Sequence, residues 1–268
     1  MFSLKEYSGR VVYTWSITTY GEQKNQMKNL VLGSLIAIAV SQSAGCIIES
    51  NDDTYITASW SIKHFANNTV ISCPPGFTTA ALYSQPANSD GTLVGSPAID
   101  LFDCSANIGT SGPLAPGLYL SWIEIANDNN TAVYAQSLST PVDTSPGDQA
   151  ASFQILEDGG YFQMQWALKG ATSNQPLSCA QAGVASNGGS AGIQLQAFVS
   201  GSSTSSSDIF NCEDGVGVTD PYLTGAYDVL VDAINPNPVG SAPTISSSIQ
   251  APNKVTNLGT VTIPINGM

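Results

Sequence analysis

The sequence predicts an all-β protein made of two tandem antiparallel β-sandwich domains behind an N-terminal signal helix. Period-two alternation of apolar and polar residues marks several strands, among them residues 56–62 and 162–168. The same landmarks occur twice in the same order, which indicates a duplicated module. No segment after Cys46 shows an apolar stripe with helix caps at both ends. Repeated half-buried strands without helices are typical of sandwiches.

The N-terminal 45 residues are predicted to lie outside this fold. The run Leu30–Val40 holds eleven uncharged residues. It is shorter than the ~20 residues that cross a membrane, but fits the apolar region of a signal peptide. Met27 and Lys28 supply a start and a positive charge just before it. We therefore predict a signal peptide at residues 27–45, and interpret residues 1–26 as a mis-assigned start or a disordered leader.

The segment Ser43-Ala44-Gly45-Cys46 resembles the lipobox of bacterial lipoproteins. The family usually has leucine where this chain has Ser43. The resemblance implies lipidation of Cys46, a membrane anchor and a short tether at residues 46–53. Ile47 follows the cysteine in place of aspartate, which implies the outer membrane in a cell that has one. The alternative is an ordinary cleaved signal peptide with an incidental cysteine.

The remainder of the chain consists of two tandem copies of one module. The matched landmarks are Trp60 with Trp166 and Cys73 with Cys179, both 106 positions apart, and Cys104 with Cys212 and Tyr119 with Tyr227, both 108 positions apart. Each repeat has the length of one domain, so the pattern predicts two sandwiches rather than a solenoid. We place the first sandwich at residues 54–157 and the second at residues 158–268.

The cysteine pattern agrees with an exported protein. Apart from Cys46, four cysteines remain, and four allow three pairings. Repetition favours Cys73–Cys104 and Cys179–Cys212, because each domain then closes its own bond. An oxidising envelope compartment would preserve such bonds. A zinc site is disfavoured, since no Cys-x-x-Cys pair is present.

Glycine-x-tyrosine triplets precede two predicted strands, at residues 117–119 and 225–227. Together with the Trp, Cys and Phe-x-Cys landmarks, they resemble bacterial immunoglobulin-like and prealbumin-like sandwich modules, including uncharacterised domains of envelope lipoproteins. The resemblance covers residues 54–268. It implies an architecture and brings no catalytic residues with it.

Charge narrows the classes of partner. The chain has 7 Lys plus Arg against 20 Asp plus Glu, a formal net charge of −13. Nucleic-acid binding requires clustered Lys and Arg, so it is not expected. Electrostatic docking on an anionic membrane is disfavoured for the same reason. The membrane contact predicted here is the lipid anchor alone, and no cofactor is predicted.

The sequence also argues against an enzyme. His64 is the single histidine, and no Gly-x-Ser-x-Gly elbow surrounds a serine nucleophile. Asp100 with Asp208 and Glu124 with Asp232 are repeated acids that a glycosidase could use as a pair. We interpret them as turn and surface residues, so a hydrolase is the third-ranked function.

No metal site is predicted, although calcium is a hypothesis. Acidic residues cluster in loops near the domain junction, and hard oxygen ligands suit Ca²⁺. The weak candidate ligands are Asp128, Asp143, Asp148 and Asp158, with Glu157 beside them. They do not have EF-hand spacing, and acidic loops are more often simply solvated.

One asymmetry between the repeats gives a candidate binding surface. Leu118, Leu120 and Trp122 lie on the strand face opposite Tyr119, where the second repeat has Ala226, Asp228 and Leu230. An exposed apolar patch of this kind marks interaction surfaces. Burial under a neighbouring sheet is the alternative. We predict a non-catalytic structural or protein-binding envelope lipoprotein; a carbohydrate- or calcium-dependent adhesion module is the second hypothesis.

Overall fold

The structure is a computed structural model that describes residues 53–185 and 190–268, and the backbone of residues 6–7 and 10–11. Two short strands, β1 Glu6–Tyr7 and β2 Arg10–Val11, pair antiparallel within the predicted leader. Residues 1–50 and 51–268 form separate compact units. The predicted signal peptide at 27–45, Cys46 and all but the last residue of the tether lie outside the described residues. The part of the chain that is described contains no helix long and apolar enough to span a membrane.

The larger unit is built almost entirely of strands. The first repeat contains β3 Ile56–Lys63, β4 Val70–Ile71, β5 Thr79–Ala87, β6 Ala98–Asp103, β7 Ile108–Thr110, β8 Leu118–Ala126, β9 Val133–Gln136, β10 Thr140–Asp143 and β11 Gln149–Leu156. The second contains β12 Gly159–Gly170, β13 Pro176–Leu177, β14 Gly192–Val199, β15 Ser205–Phe210, β16 Val216–Val218, β17 Tyr222–Leu223, β18 Gly225–Asn235, β19 Asn237–Ser241, β20 Ile245–Ile249 and β21 Lys254–Ile265. One-turn 3-10 helices at Cys104–Ala106 and Cys212–Asp214 occupy matching places.

The strands confirm the predicted all-β sandwich class. In the first repeat one sheet has the order β11-β3-β4, with β7 also on β3, and the other has the order β10-β8-β5-β6, with β9 also on β8. The second repeat has the same strand neighbours and in addition β17 on β12, and β19 joins its two sheets by pairing Gly240 with Ile265. The described pairs are antiparallel except for one in each repeat, β3 with β11 and β12 with β21. The first and last long strands of each repeat therefore run side by side in the same direction.

Alternation along the strands produces the cores. Every second residue of β3 is buried, as is every second residue of β8 from Tyr119 to Ile125. One cluster joins β3 and β11 to β5 and β8 across the first sandwich, and a second cluster spans residues 162–265. Burial of each large apolar side chain contributes about 1.5–3 kcal/mol, so these two clusters hold the sheets together.

Tryptophan, phenylalanine and cysteine form the same small assembly in both repeats. The Trp60 indole N–H donates to the Cys104 carbonyl at 2.9 Å, and Trp166 donates to Cys212 at 2.8 Å. Disulfides join Cys73 to Cys104 and Cys179 to Cys212, the pairs that the repeat predicts. The Phe-x-Cys landmark places Phe102 and Phe210 each 5.8 Å from the tryptophan ring of its own repeat.

The glycine-x-tyrosine triplet has an equally local explanation. The hydroxyl of Tyr119 donates to the Ala115 carbonyl at 2.7 Å, four residues earlier, and Tyr227 donates to Leu223 at 2.9 Å. Each tyrosine ring is buried, so the hydroxyl must find a partner as the chain turns into the strand. The tyrosine of the triplet therefore stabilises the turn that leads into β8 and the turn that leads into β18.

Candidate functional site

The predicted apolar surface lies on the side of β5, β6 and β8 that faces away from the core. Leu118, Leu120 and Trp122 are half-buried there, at alternate positions of β8. Tyr83 of β5 lies directly opposite Trp122, and Ile99 of β6 lies opposite Tyr83. We call the surface formed by Tyr83, Ile99, Leu101, Leu120 and Trp122 the outer face.

An aromatic pair forms the centre of the outer face. The rings of Tyr83 and Trp122 stack with centroids 4.9 Å apart and planes 4° from parallel. The Trp122 indole donates to Glu124 at 3.2 Å, and the Asn130 amide donates to the Tyr83 hydroxyl at 3.4 Å. Burial raises the pKa of the Tyr83 phenol above its usual value, so the ring carries no charge at neutral pH. Because each ring covers one face of the other, the pair presents less open ring surface than an isolated tryptophan would.

The most exposed apolar side chains of the outer face come from β6. Ile99 is 50% exposed and Leu101 is 57% exposed, although both lie in a regular strand. Sequence reasoning missed both residues and also missed Tyr83. The signal was present in the alternation of Ile99, Asp100 and Leu101 within a repeated motif. Comparison with the second repeat would have shown the difference at Ile99, whose counterpart is Ser207, whereas Leu101 has the apolar counterpart Ile209.

The corresponding face of the second repeat is more polar, although Ile209, at the place of Leu101, is 46% exposed. Gln196 of β14 lies opposite Leu230 and Ser207, the three residues that occupy the places of Tyr83, Trp122 and Ile99. The Gln196 amide donates to the Ser205 hydroxyl at 3.2 Å, and Ser246 donates to Asp228 at 2.9 Å. Because these polar side chains bond to one another, this face presents less apolar surface to a partner than the outer face does. The two repeats therefore differ at the same place in one fold.

His64 lies at the junction of the repeats. Its Nε2 is 3.3 Å from a Glu157 carboxylate oxygen, and its Nδ1 is 3.9 Å from Asp158. Both neighbours are acids rather than a hydroxyl or thiol, so the arrangement suits an ion pair. The repeated acids have similar local roles: Asp100 accepts from the Gly112 N–H at 2.9 Å, and Asp208 accepts from Tyr222 at 3.1 Å.

The structure does not bring the four calcium candidates together as one ligand set. Asp128 accepts from the Thr78 hydroxyl, Asp143 accepts from Ser145, Asp148 accepts from Tyr55, and Asp158 accepts from Ala66. Each carboxylate thus stabilises a turn or an adjoining strand. Within residues 53–185 and 190–268 no group of three or more His, Cys, Asp and Glu side chains is placed to hold a metal ion.

A shallow cavity of about 190 Å³ lies beside β14, β15 and β17. Phe65, Val199, Pro221 and Tyr222 are among its lining residues. The volume is below the ~300 Å³ at which small-molecule sites begin. The outer face of the first repeat is therefore the stronger candidate for recognition.

Solved structures that resemble this chain have little sequence in common with it. The TIE protein of Bacillus anthracis is 11% identical with a TM-score of 0.25, and the match covers 78% of this chain and 34% of that one. The minor pilin GBS52 of Streptococcus agalactiae is 12% identical with a TM-score of 0.27, covering 78% and 96%. The shaft pilin spaA of Lactobacillus rhamnosus GG is 9% identical with a TM-score of 0.21, covering 81% and 99%. This chain spans about 34% of the length of the TIE protein.

No protein-family model matches the sequence, and no protein of curated function matches it. With identities of 9–12% and TM-scores of 0.21–0.27, the three solved structures carry no argument about what this chain does. The outer face is the place in the fold where the side chains of the two repeats differ in polarity.

Proposed function

We propose that this chain is a non-catalytic protein-binding module of the bacterial cell envelope, anchored to a membrane by a lipid on Cys46. The observation that supports the proposal is the outer face of the first repeat. The second repeat has Gln196 and Ser207 at the places of Tyr83 and Ile99, so the fold is compatible with polar residues there. Exposed Ile99 is therefore not a requirement of the fold, and contiguous exposed apolar surface such as that of Ile99 and Leu101 is typical of protein interfaces.

A firm joint between the repeats supports a structural part of this role. Two residues, Glu157 and Asp158, connect the end of β11 to the start of β12. Asp158 accepts hydrogen bonds from the backbone N–H groups of Phe65 and Ala66 in the first repeat. The Thr224 hydroxyl of the second repeat donates to the Asp158 carbonyl at 2.9 Å. This short linker is thus bonded to both sandwiches and holds them at a defined orientation.

The anchor is proposed from the sequence alone. The tether at residues 46–53 has eight residues, which extend over at most ~29 Å. The first sandwich would therefore stay close to the bilayer, on the periplasmic or the outward side. In a cell with two membranes we propose the outer one, because Ile47 replaces the aspartate that favours retention at the inner membrane.

Site-specific crosslinking in the producing bacterium tests the binding role. A photoreactive amino acid is placed at position 101, and at the equivalent position 209 as the matched control. We expect a discrete protein adduct from position 101 and none from position 209. Equal adducts at both positions, or none at either, would contradict protein binding at the outer face.

Metabolic labelling tests the anchor separately. Cells fed an alkyne fatty acid should label the wild-type chain, and Cys46→Ser should remove the label. An unlabelled wild-type protein, or a label that survives Cys46→Ser, would show that the lipid-anchor proposal is wrong.

Carbohydrate binding is the second candidate, favoured by the contact between Trp122 and Glu124, an aromatic ring beside a carboxylate. A thermal-shift screen against sugars, with and without Ca²⁺, distinguishes it from protein binding. A shift that is lost in Trp122→Ala and retained in Leu230→Ala would favour the sugar hypothesis.

A further inference from the structure

We propose that β6 binds an extended segment of a partner protein, apolar at alternate positions and flanked by Lys or Arg, by adding it as a new strand at the sheet edge. The proposal rests on the protein-binding function of the outer face and names the kind of partner that this face takes.

The first argument is the free edge of β6. Among the described strands β6 pairs with β5 alone and ends the order β10-β8-β5-β6. The Cys104 N–H donates to the Thr78 carbonyl at 2.7 Å, which makes this a hydrogen-bonded pair. Such pairs alternate in an antiparallel ladder, so Phe102 with Ala80 and Asp100 with Leu82 are also hydrogen-bonded pairs. The N–H and C=O groups of the residues between them, Ile99 and Leu101, therefore point away from β5.

The second argument is that β6 is less protected against strand pairing than the other edges are. Natural edge strands are kept short, or carry proline, lysine or polar outward side chains. Here β10 contains Pro141, β13 has two residues, and β15 begins with three serines. The longer edge β11 exposes Ala150, Ser152 and Gln154. Like β15, β6 has six residues without proline or lysine, but two of its three outward side chains are apolar, Ile99 and Leu101, and the third is Asp103.

The third argument concerns the shape of the extended surface. A strand added beside β6 would place its side chains ~5 Å from those of Ile99 and Leu101. It would lengthen the row that runs from Trp122 through Tyr83 to Ile99 by one more residue. The partner would gain main-chain hydrogen bonds and apolar contacts together, as in other cases of strand addition.

The negative charge around this edge favours a partner segment with basic residues over a second copy of this chain. Asp103 ends β6, Glu124 lies on the adjoining part of β8, and β5, β6 and β8 contain no basic residue. The whole chain has a net charge of −13. A second copy would bring the same charges, and a register that pairs Ile99 with Leu101 would set Asp100 opposite Asp100. A segment with basic flanks complements the edge instead.

A synthetic peptide tests the proposal on the full chain. The probe is the capped heptapeptide Lys-Val-Thr-Val-Thr-Val-Lys, and its binding is followed by fluorescence anisotropy in low-salt buffer. We expect saturable binding that weakens by about tenfold or more in Leu101→Lys, because the edge gains a repelling charge. Ile209→Lys, at the matching place of the second repeat, should leave the affinity unchanged. Far-UV circular dichroism of both variants checks that they are folded.

Modified peptides separate strand addition from contact through side chains alone. Two versions carry N-methyl groups on alternate amides, one on each set. One of them should lose about tenfold or more in affinity, because a strand uses one set of amides at an edge. A version with Glu in place of both Lys residues should also bind about tenfold more weakly.

The outcomes that would overturn strand addition differ from those that would overturn the proposed function. Absence of peptide binding, or equal binding by both N-methyl peptides and the unmodified peptide, would refute strand addition at β6. Crosslinking from position 101 in cells would then still support a protein-binding outer face. Self-association in sedimentation that Leu101→Lys removes would show that a second copy is the occupant, and would refute the choice of partner.

Discussion

The side-chain amide of Asn253 donates to the backbone carbonyl of Gln136 at 2.7 Å, across 117 positions of the chain. The oxygen of the same amide accepts from the Leu156 N–H at 2.8 Å. Asn253 belongs to the loop before β21, whereas Gln136 and Leu156 end strands of the first repeat. One asparagine, 4% exposed, thereby connects the second sandwich to two strands of the first.

Removing this asparagine should weaken the whole two-domain unit. Asn253→Gly leaves the Leu156 N–H and the Gln136 carbonyl without their partner, and we expect a loss of about 2–4 kcal/mol in unfolding free energy. Asn253→Ala should cost about 1 kcal/mol more, because the residue has a φ of 50° that alanine adopts poorly. Urea unfolding of the three proteins measures both differences.

The shape of the unfolding curve provides a second result for the same variants. If the asparagine couples the repeats, Asn253→Gly should broaden a single transition or divide it into two. A sharp single transition with wild-type stability would show that this contact does not couple them.

Two glycines at matching places of the repeats should not tolerate alanine without a loss of stability. A Cβ built on Gly109 would lie 2.5 Å from the Phe102 ring, and one built on Gly217 would lie 2.5 Å from the Phe210 ring. Each phenylalanine is held against a tryptophan, so the ring cannot move away without disturbing the core. We expect Gly109→Ala and Gly217→Ala each to cost about 1–3 kcal/mol, measured by thermal unfolding.

Gly117→Ala is the control for that pair, since nothing lies within 4 Å of its added Cβ. It should change stability little. A wild-type melting temperature for Gly109→Ala or Gly217→Ala would mean that the phenylalanine ring yields freely.

The buried face of each strand could be predicted from the sequence, because alternation is a local property. It correctly places Trp60 and Tyr119 in the first core, and Trp166 and Tyr227 in the second. Alternation does not say which strand lies beside which, or in which direction it runs. The parallel pairing of β3 with β11 and of β12 with β21 therefore could not be read from it.

The candidate site was predictable in part for the same reason. Trp122 and Leu120 stood out because they occupy one strand and differ from the second repeat. Tyr83 and Ile99 join them only through the register of β5 with β8 and β6. The Asn253 contact combines a left-handed backbone with partners more than 90 positions away. No local pattern reports a contact of that kind.

The two disulfides should contribute nearly equally to stability. Cys73–Cys104 and Cys179–Cys212 close loops with separations of 31 and 33 residues. Loops of that size predict about 3–4 kcal/mol for each bond, mainly through the unfolded chain. Replacing both cysteines of one pair by alanine, in each repeat in turn, and comparing urea unfolding tests this equality. A difference above about 2 kcal/mol between the two double variants would contradict it.

Low pH should weaken the contact that Asp158 makes between the repeats, because its carboxyl becomes protonated. Burial opposes ionisation of this carboxyl, but hydrogen bonds from the Phe65 and Ala66 N–H groups outweigh it and hold its pKa below the usual value. A pKa that is lower in the folded state means that the stabilisation is present above the unfolded value, ~3.9. It is lost as the pH falls through the folded value. The unfolding free energy of wild type should therefore drop below about pH 4.

Asp158→Asn should be less stable than wild type at pH 7, and the difference should shrink as the pH falls from the unfolded-state pKa of the carboxyl through its lower folded-state pKa. The His64→Gln variant separates the contribution of the backbone N–H groups to the lowered pKa of Asp158 from the contribution of His64. Because the backbone N–H groups lower the pKa of Asp158 more than nearby His64 does, this variant should keep most of the pH dependence. A stability gap between wild type and Asp158→Asn that stays constant from pH 7 to pH 3 would show that the Asp158 carboxylate does not stabilise the joint through its charge.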